Sequence, residues 1–148
     1  MTNRSPVRPG PQPVVSVPKN ATVMDAVRAM ARGNRSAAMI LDSDERLLGV
    51  FTERDVSLRV VLKGLPPDTT PVAEVMTKKL VTVREDADRS TVLLLMNENH
   101  IRHLPVVDAE GRVKTVVSLR NLLRAEVQDL QQTVWELAAE TAIDGPGG

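Results

Sequence analysis

A constant offset of 66 residues runs through most of this chain, and it constrains the fold more than any other feature. Val15-Ser16-Val17 matches Val81-Thr82-Val83, and the same register pairs Ala21 with Ala87, Met30 with Met96, Asp42 with Asp108 and Arg46 with Arg112. It continues without a gap through Val50 and Val116, Thr52 and Ser118, and Arg54 and Arg120. A register held through every element marks an internal duplication, so each half is one supersecondary unit that packs against its twin.

Each repeat reads as β-α-β-β-α. Short strands at Val14–Val17 and Leu80–Val83 precede amphipathic helices, and Val23, Ala26, Val27 and Met30 form the apolar stripe of the first. Thr22 with Asp25 three residues on is a capping pair, and Asp88 takes the cap position in the second repeat. Aliphatic runs at 38–41 and 47–51, then at 104–107 and 113–117, are joined by polar loops as hairpins. A further helix starts at Glu53 in one repeat and at Leu119 in the other. Pro71 to Met76 reads as a short helix leading into the second repeat.

The chain divides accordingly into a disordered tail over 1–13, a first motif over 14–63, a linker and short helix over 64–79, a second motif over 80–123, and a C-terminal helix and tail over 124–148. In that last segment Leu123, Val127, Leu130, Val134 and Leu137 are spaced 4, 3, 4, 3. This is either the seam of a coiled coil between two chains or an apolar stripe docked on its own domain.

Composition removes several classes of function. Nineteen basic residues balance nineteen acidic ones, and Phe51 and Trp135 are the only aromatics, so nucleic-acid binding by field or by base stacking is not expected. With no cysteine and two histidines there is neither a thiolate metal site nor a cysteine nucleophile, and no nucleophile–base pair or paired carboxylates mark an enzyme. No secretory signal and no apolar run of membrane-spanning length is visible, so the expected setting is the cytoplasm, without membrane association.

The segment Gly49-Val50-Phe51-Thr52-Glu53-Arg54-Asp55-Val56 resembles the nucleotide-binding signature of CBS motifs (Gly, two apolar residues, Thr or Ser, two variable residues, Asp). Ile101-Arg102-His103-Leu104-Pro105-Val106-Val107-Asp108 is similar to the second strand of such motifs, and Val75-Met76-Thr77 to the usual lead-in. The resemblance implies a stand-alone bacterial-type tandem CBS pair of the α+β class, its two β-α-β-β-α motifs packed pseudo-symmetrically, with a C-terminal helix. It also implies a non-catalytic regulatory module of energy-sensing type that binds an adenine nucleotide and signals by conformational change. AMP comes first as ligand, with ATP, ADP or NAD as alternatives, and no catalytic cofactor is called for. A ligand-independent dimerisation or interaction module is the rival reading. A homodimer and an unidentified regulated protein are the implied partners.

The nucleotide-binding candidates are Phe51, Thr52 and Asp55 from the first motif with Leu80, Val81, His100, Ile101, Arg102, His103 and Pro105 from the second. At a helix start, a carboxylate accepts charge-assisted hydrogen bonds from ribose hydroxyls. Arg and His suit a phosphate. Thr52-x-x-Asp55 is equally a capping box that serves the helix alone. In the mirror cleft, Ser118, Asn121, Val15 and Ala37 take the matching positions. Neutral Asn121 replaces the carboxylate there, and no basic residue stands where Arg102 and His103 do, so one competent site per chain is expected.

Overall fold

The computed structural model describes residues 14–143, so the tail expected over 1–13 lies outside the described residues. The first repeat comprises β1 (Ser16–Pro18), α1 (Val23–Gly33), β2 (Ala37–Leu41), β3 (Leu47–Thr52) and α2 (Glu53–Asp55), which runs on as a π-helical segment, Val56–Val61. After α3 (Val72–Val75), the second repeat comprises β4 (Val83–Arg84), α4 (Arg89–Asn99), β5 (His103–Val107), β6 (Val113–Ser118) and α5 (Leu119–Ile143). Each repeat forms its own three-stranded sheet, with the first strand parallel and the third antiparallel to the middle one.

The duplication extends to details of register. Ala37 faces Thr52 as His103 faces Ser118, and both ladders slip at the same place, between Ile40 and Leu41 and between Val106 and Val107. The leading strands are shorter and later than the expected Val14–Val17 and Leu80–Val83. A parallel strand exists only where a neighbour runs alongside. Here that neighbour begins at Met39 for Ser16 and at Val106 for Val83.

The starts of α1 and α4 are capped by side chains, as their sequences require. The Thr22 amide donates to Asp25 Oδ2 at 3.0 Å and the Asp25 amide to Thr22 Oγ1 at 3.1 Å, while the Thr91 amide donates to Asp88 Oδ1 at 2.7 Å. Thr22→Ala is therefore expected to cost about 1 kcal/mol, read as a lower urea midpoint with an unchanged slope. At the far ends, Asn34 (φ 50°) and His100 (φ 54°) cap α1 and α4 in the left-handed region, again 66 residues apart.

Two apolar cores result. Val23, Ala26, Met30, Ile40, Phe51 and Val60 build the first, which Val72, Val75 and Met76 of the linker complete. Val92, Met96, Leu104, Val106, Val117 and Leu122 build the second. The repeats meet about a pseudo-two-fold axis at Arg46 and Arg112, equivalent residues that bridge to each other. The flanking bonds are symmetry mates too: the Leu47 amide to the Gly111 carbonyl and the Val113 amide to the Glu45 carbonyl, both 3.3 Å.

Candidate functional site

Thr52 ends β3 and Asp55 closes the first turn after it, so strand direction and helix cap meet in four residues. The Thr52 amide donates to Asp55 Oδ2 (3.0 Å) and the Asp55 amide to Thr52 Oγ1 (3.3 Å), a complete capping box. Asp55 is buried, and its other oxygen lies 3.5 Å from Nε of Arg59. Arg59 in turn donates to the carbonyls of Val75 (3.4 Å) and Met76 (3.2 Å) at the end of α3. The carboxylate thus links the signature corner to the lead-in of the second repeat. Arg59 was not among the sequence candidates, although its place four residues after Asp55 on a helix was the available signal. Its equivalent in the second repeat is Ala125, as Asn121 is the equivalent of Asp55, so the whole pair is absent there.

The same corner touches the second repeat through Ser36. The Glu53 amide donates to the Ser36 carbonyl at 3.0 Å, and Ser36 Oγ lies 2.8 Å from His103 Nε2. By the same rule the Leu119 amide donates to the Arg102 carbonyl at 2.8 Å. The ends of the two sheets therefore adjoin, with a serine from one repeat bonded to a histidine from the other. Burial holds the His103 imidazole below its ordinary value of 6.5; Arg102 and Arg35 push the same way, and Glu53 opposes them.

A pH dependence follows from that direction. The unfolded chain protonates His103 more readily than the folded one, so this contribution to stability is complete above about pH 6.5. It is lost as pH falls through the lower folded value. The melting temperature is expected to fall on acidification from pH 7 to 5, and His103→Gln, which keeps a partner for Ser36 but cannot titrate, should flatten the decline. Asp25 and Asp108, both held low by backbone hydrogen bonds, add their own losses only below about 3.8.

The other candidates separate by exposure. His100 and Arg102 are exposed, Leu80 is 38% exposed, and Val81 and Ile101 are half-buried beside the second core. The side chains of Phe51 and Pro105 are both fully buried, Phe51 in the first core and Pro105 on the face of β5 opposite to Leu104 and Val106, which build the second. In the mirror set, Ser118 Oγ accepts from the Asn121 amide at 3.2 Å, Asn121 is exposed, Ala37 is buried and Val15 is half-buried. Gly49 packs against the linker. A Cβ there would meet Met76 Sδ at 2.3 Å, so what approaches its backbone is a methionine of the linker.

An open cleft of about 460 Å³ adjoins the Ser36–Glu53 corner, with Asn34, Arg35, Val56 and Arg120 among its walls. It includes none of the ten residues expected in the first cleft. Matching the repeats puts no basic residue where Arg102 and His103 stand, yet Arg35 and Arg120 bring two guanidinium groups to this cleft. Arg35 sits at the turn out of α1 and Arg120 on the first turn of α5; their register partners are Ile101 and Arg54, so neither stands at a position matched to Arg102 or His103.

Known proteins carry the same architecture. The CBS domain family model matches residues 11–61 and 72–128. A CBS domain-containing protein of Arabidopsis thaliana is 33% identical over 132 residues, 88% of this chain but 24% of its own length. Inosine-5'-monophosphate dehydrogenase of Methanocaldococcus jannaschii is 33% identical over 111 residues, 75% of this chain and 21% of its own length. The chain thus spans about a quarter or less of these curated relatives. Among solved structures, a CBS-domain protein from Burkholderia ambifaria MC40-6 superimposes with a TM-score of 0.74 at 33% identity, covering 80% of this chain and 85% of that one. The cytosolic domain of the Mg2+ channel MgtE, solved in complex with ATP, gives 0.63 at 33% identity, with 76% of this chain and 44% of that one covered. This chain belongs to the CBS-domain family, as a tandem pair of CBS motifs.

Proposed function

We propose that the chain is a non-catalytic regulatory module that binds an adenine nucleotide where its two motifs meet, and passes that state to a partner protein by a change in how the motifs pack. The observation that carries the reading is the junction through Ser36, which joins the Thr52–Asp55 corner of one motif to His103 of the other. A ligand with a ribose for Asp55 and a phosphate for Arg102 and His103 spans that junction. It biases the packing by its differential affinity for the two arrangements. AMP is the first choice, as the resemblance implies, and ATP gains support from the ATP complex of the MgtE cytosolic domain, to which this chain is 33% identical.

One strong site per chain is expected, because Asp55 has only Asn121 as its counterpart. The cleft with Arg35 and Arg120 is the weaker one. Phosphate beside His103 raises that group's proton affinity, so binding takes up a proton and tightens as pH falls from about 7.5 to 6. The module works in the cytoplasm as a homodimer.

Native mass spectrometry of the purified full chain tests the reading. An adduct with the mass of an adenosine-containing compound, retained or formed on adding AMP or ATP, is the expected result. A chain that takes up neither supports the rival reading, a ligand-independent interaction module.

A further inference from the structure

Helix α5 carries two distinct faces. Leu119 and Leu122 turn into the second core, and Arg89 of α4 pairs with Glu126 (3.7 Å) and with Asp129, so this face is docked on its own domain. The 4-3-4-3 stripe lies on a neighbouring face and is left open: Leu123, Val127, Leu130, Val134 and Leu137 are 51%, 53%, 63%, 64% and 57% exposed. Of the two sequence readings, docking of the stripe on its own domain is therefore removed.

We infer that this face pairs with the same face of a second chain as a short parallel coiled coil. The inference rests on the self-association proposed above and adds where, and in which sense, the two chains meet. Val127 and Val134 occupy one class of core position and Leu123, Leu130 and Leu137 the other. A β-branched residue at the first class with leucine at the second favours two parallel strands.

The flanking residues agree. In a parallel pair Glu126 faces Gln131 of the second chain, and Thr133 faces Ala138, with no like charges opposed. The antiparallel pairing that matches Val127 with Leu137 and Leu130 with Val134 sets Glu126 against Glu140 of the other chain, twice. Ten half- to two-thirds-exposed aliphatic side chains in the pair offer on the order of 1,000 Å², the lower bound for a specific interface.

The chain has no cysteine, so single-cysteine variants of the full chain report position cleanly. Sedimentation equilibrium of the unsubstituted chain is expected to give the dimer mass. Under mild oxidation Leu130→Cys should become a covalent dimer at least tenfold faster than Gln132→Cys, which lies on the opposite side of the helix. Leu123→Cys mixed with Leu137→Cys should cross-link only like to like. A dimer in which Leu130→Cys and Gln132→Cys react alike overturns the seam but leaves self-association standing. Cross-links between 123 and 137 overturn the parallel sense, and a monomer overturns both proposals.

Discussion

Replacing Phe51 by alanine is expected to remove about 3–5 kcal/mol of stability, a large share of the roughly 5–15 kcal/mol that holds a domain of this size. Phe51 is the only phenylalanine in the chain and is fully buried in the first core. With so few aromatics, no neighbouring ring exists to collapse into the cavity, and the surrounding valines and methionines fill it only in part. The next residue is Thr52, so a core that loosens here also loosens the capping box at the candidate site. Phe51→Leu, closer in volume, should cost clearly less. Urea unfolding of both variants checks this, and a loss for alanine below about 1 kcal/mol would contradict the packing described here.

Asp55→Asn is expected to separate binding from folding. Asparagine keeps an oxygen that accepts from the Thr52 amide, so the cap persists, but it neither pairs with Arg59 nor offers charge-assisted bonds to a ribose. Hydrogen bonds to a charged group contribute about 1.5–3 kcal/mol against about 0.5–1.5 for neutral ones. Nucleotide affinity should therefore weaken by roughly 10- to 100-fold. Melting of the free protein should move only slightly, while the nucleotide-induced rise in melting temperature should vanish. The second motif already carries this substitution in effect, with Asn121 beside Ser118. If Asp55→Asn binds AMP or ATP as the unsubstituted chain does, Asp55 is a helix cap and nothing more.

What was legible in the sequence was whatever depends on local pattern or on repetition. The 66-residue register predicted equivalent hairpins, and even the bulges after Ile40 and Val106 obey it. The caps at Thr22 and Asp88 follow from short-range hydrogen bonding, which sequence spacing encodes directly. Contacts between distant segments were not legible. Nothing in the local sequence places Met76 above Gly49. Phe51 sits inside a matching signature, yet strand alternation turns its side chain into the first core.

The Ser36–His103 bond joins residues 67 apart in sequence, and only the packing of one repeat on the other creates it. Arg35 and Arg120 escaped for a related reason. Aligning the repeats compares equivalent positions, whereas this cleft collects Arg35 and Arg120, which are not equivalents of each other. The π-helical turn after Asp55 has no counterpart in α5, so the second helix runs straight on from Leu119 where the first winds wider.

Calorimetric titration of the full chain with AMP and with ATP tests the central claim most directly. AMP has about 23 non-hydrogen atoms, and at about −0.3 kcal/mol each its binding amounts to roughly −7 kcal/mol, a Kd on the order of 10 μM. The expected result is saturable binding of at least one of the two at one site per chain, tightening as pH falls towards 6. Two equal sites per chain would contradict the asymmetry drawn from Asp55 and Asn121, and no saturable heat with either nucleotide up to millimolar concentration would contradict the account as a whole.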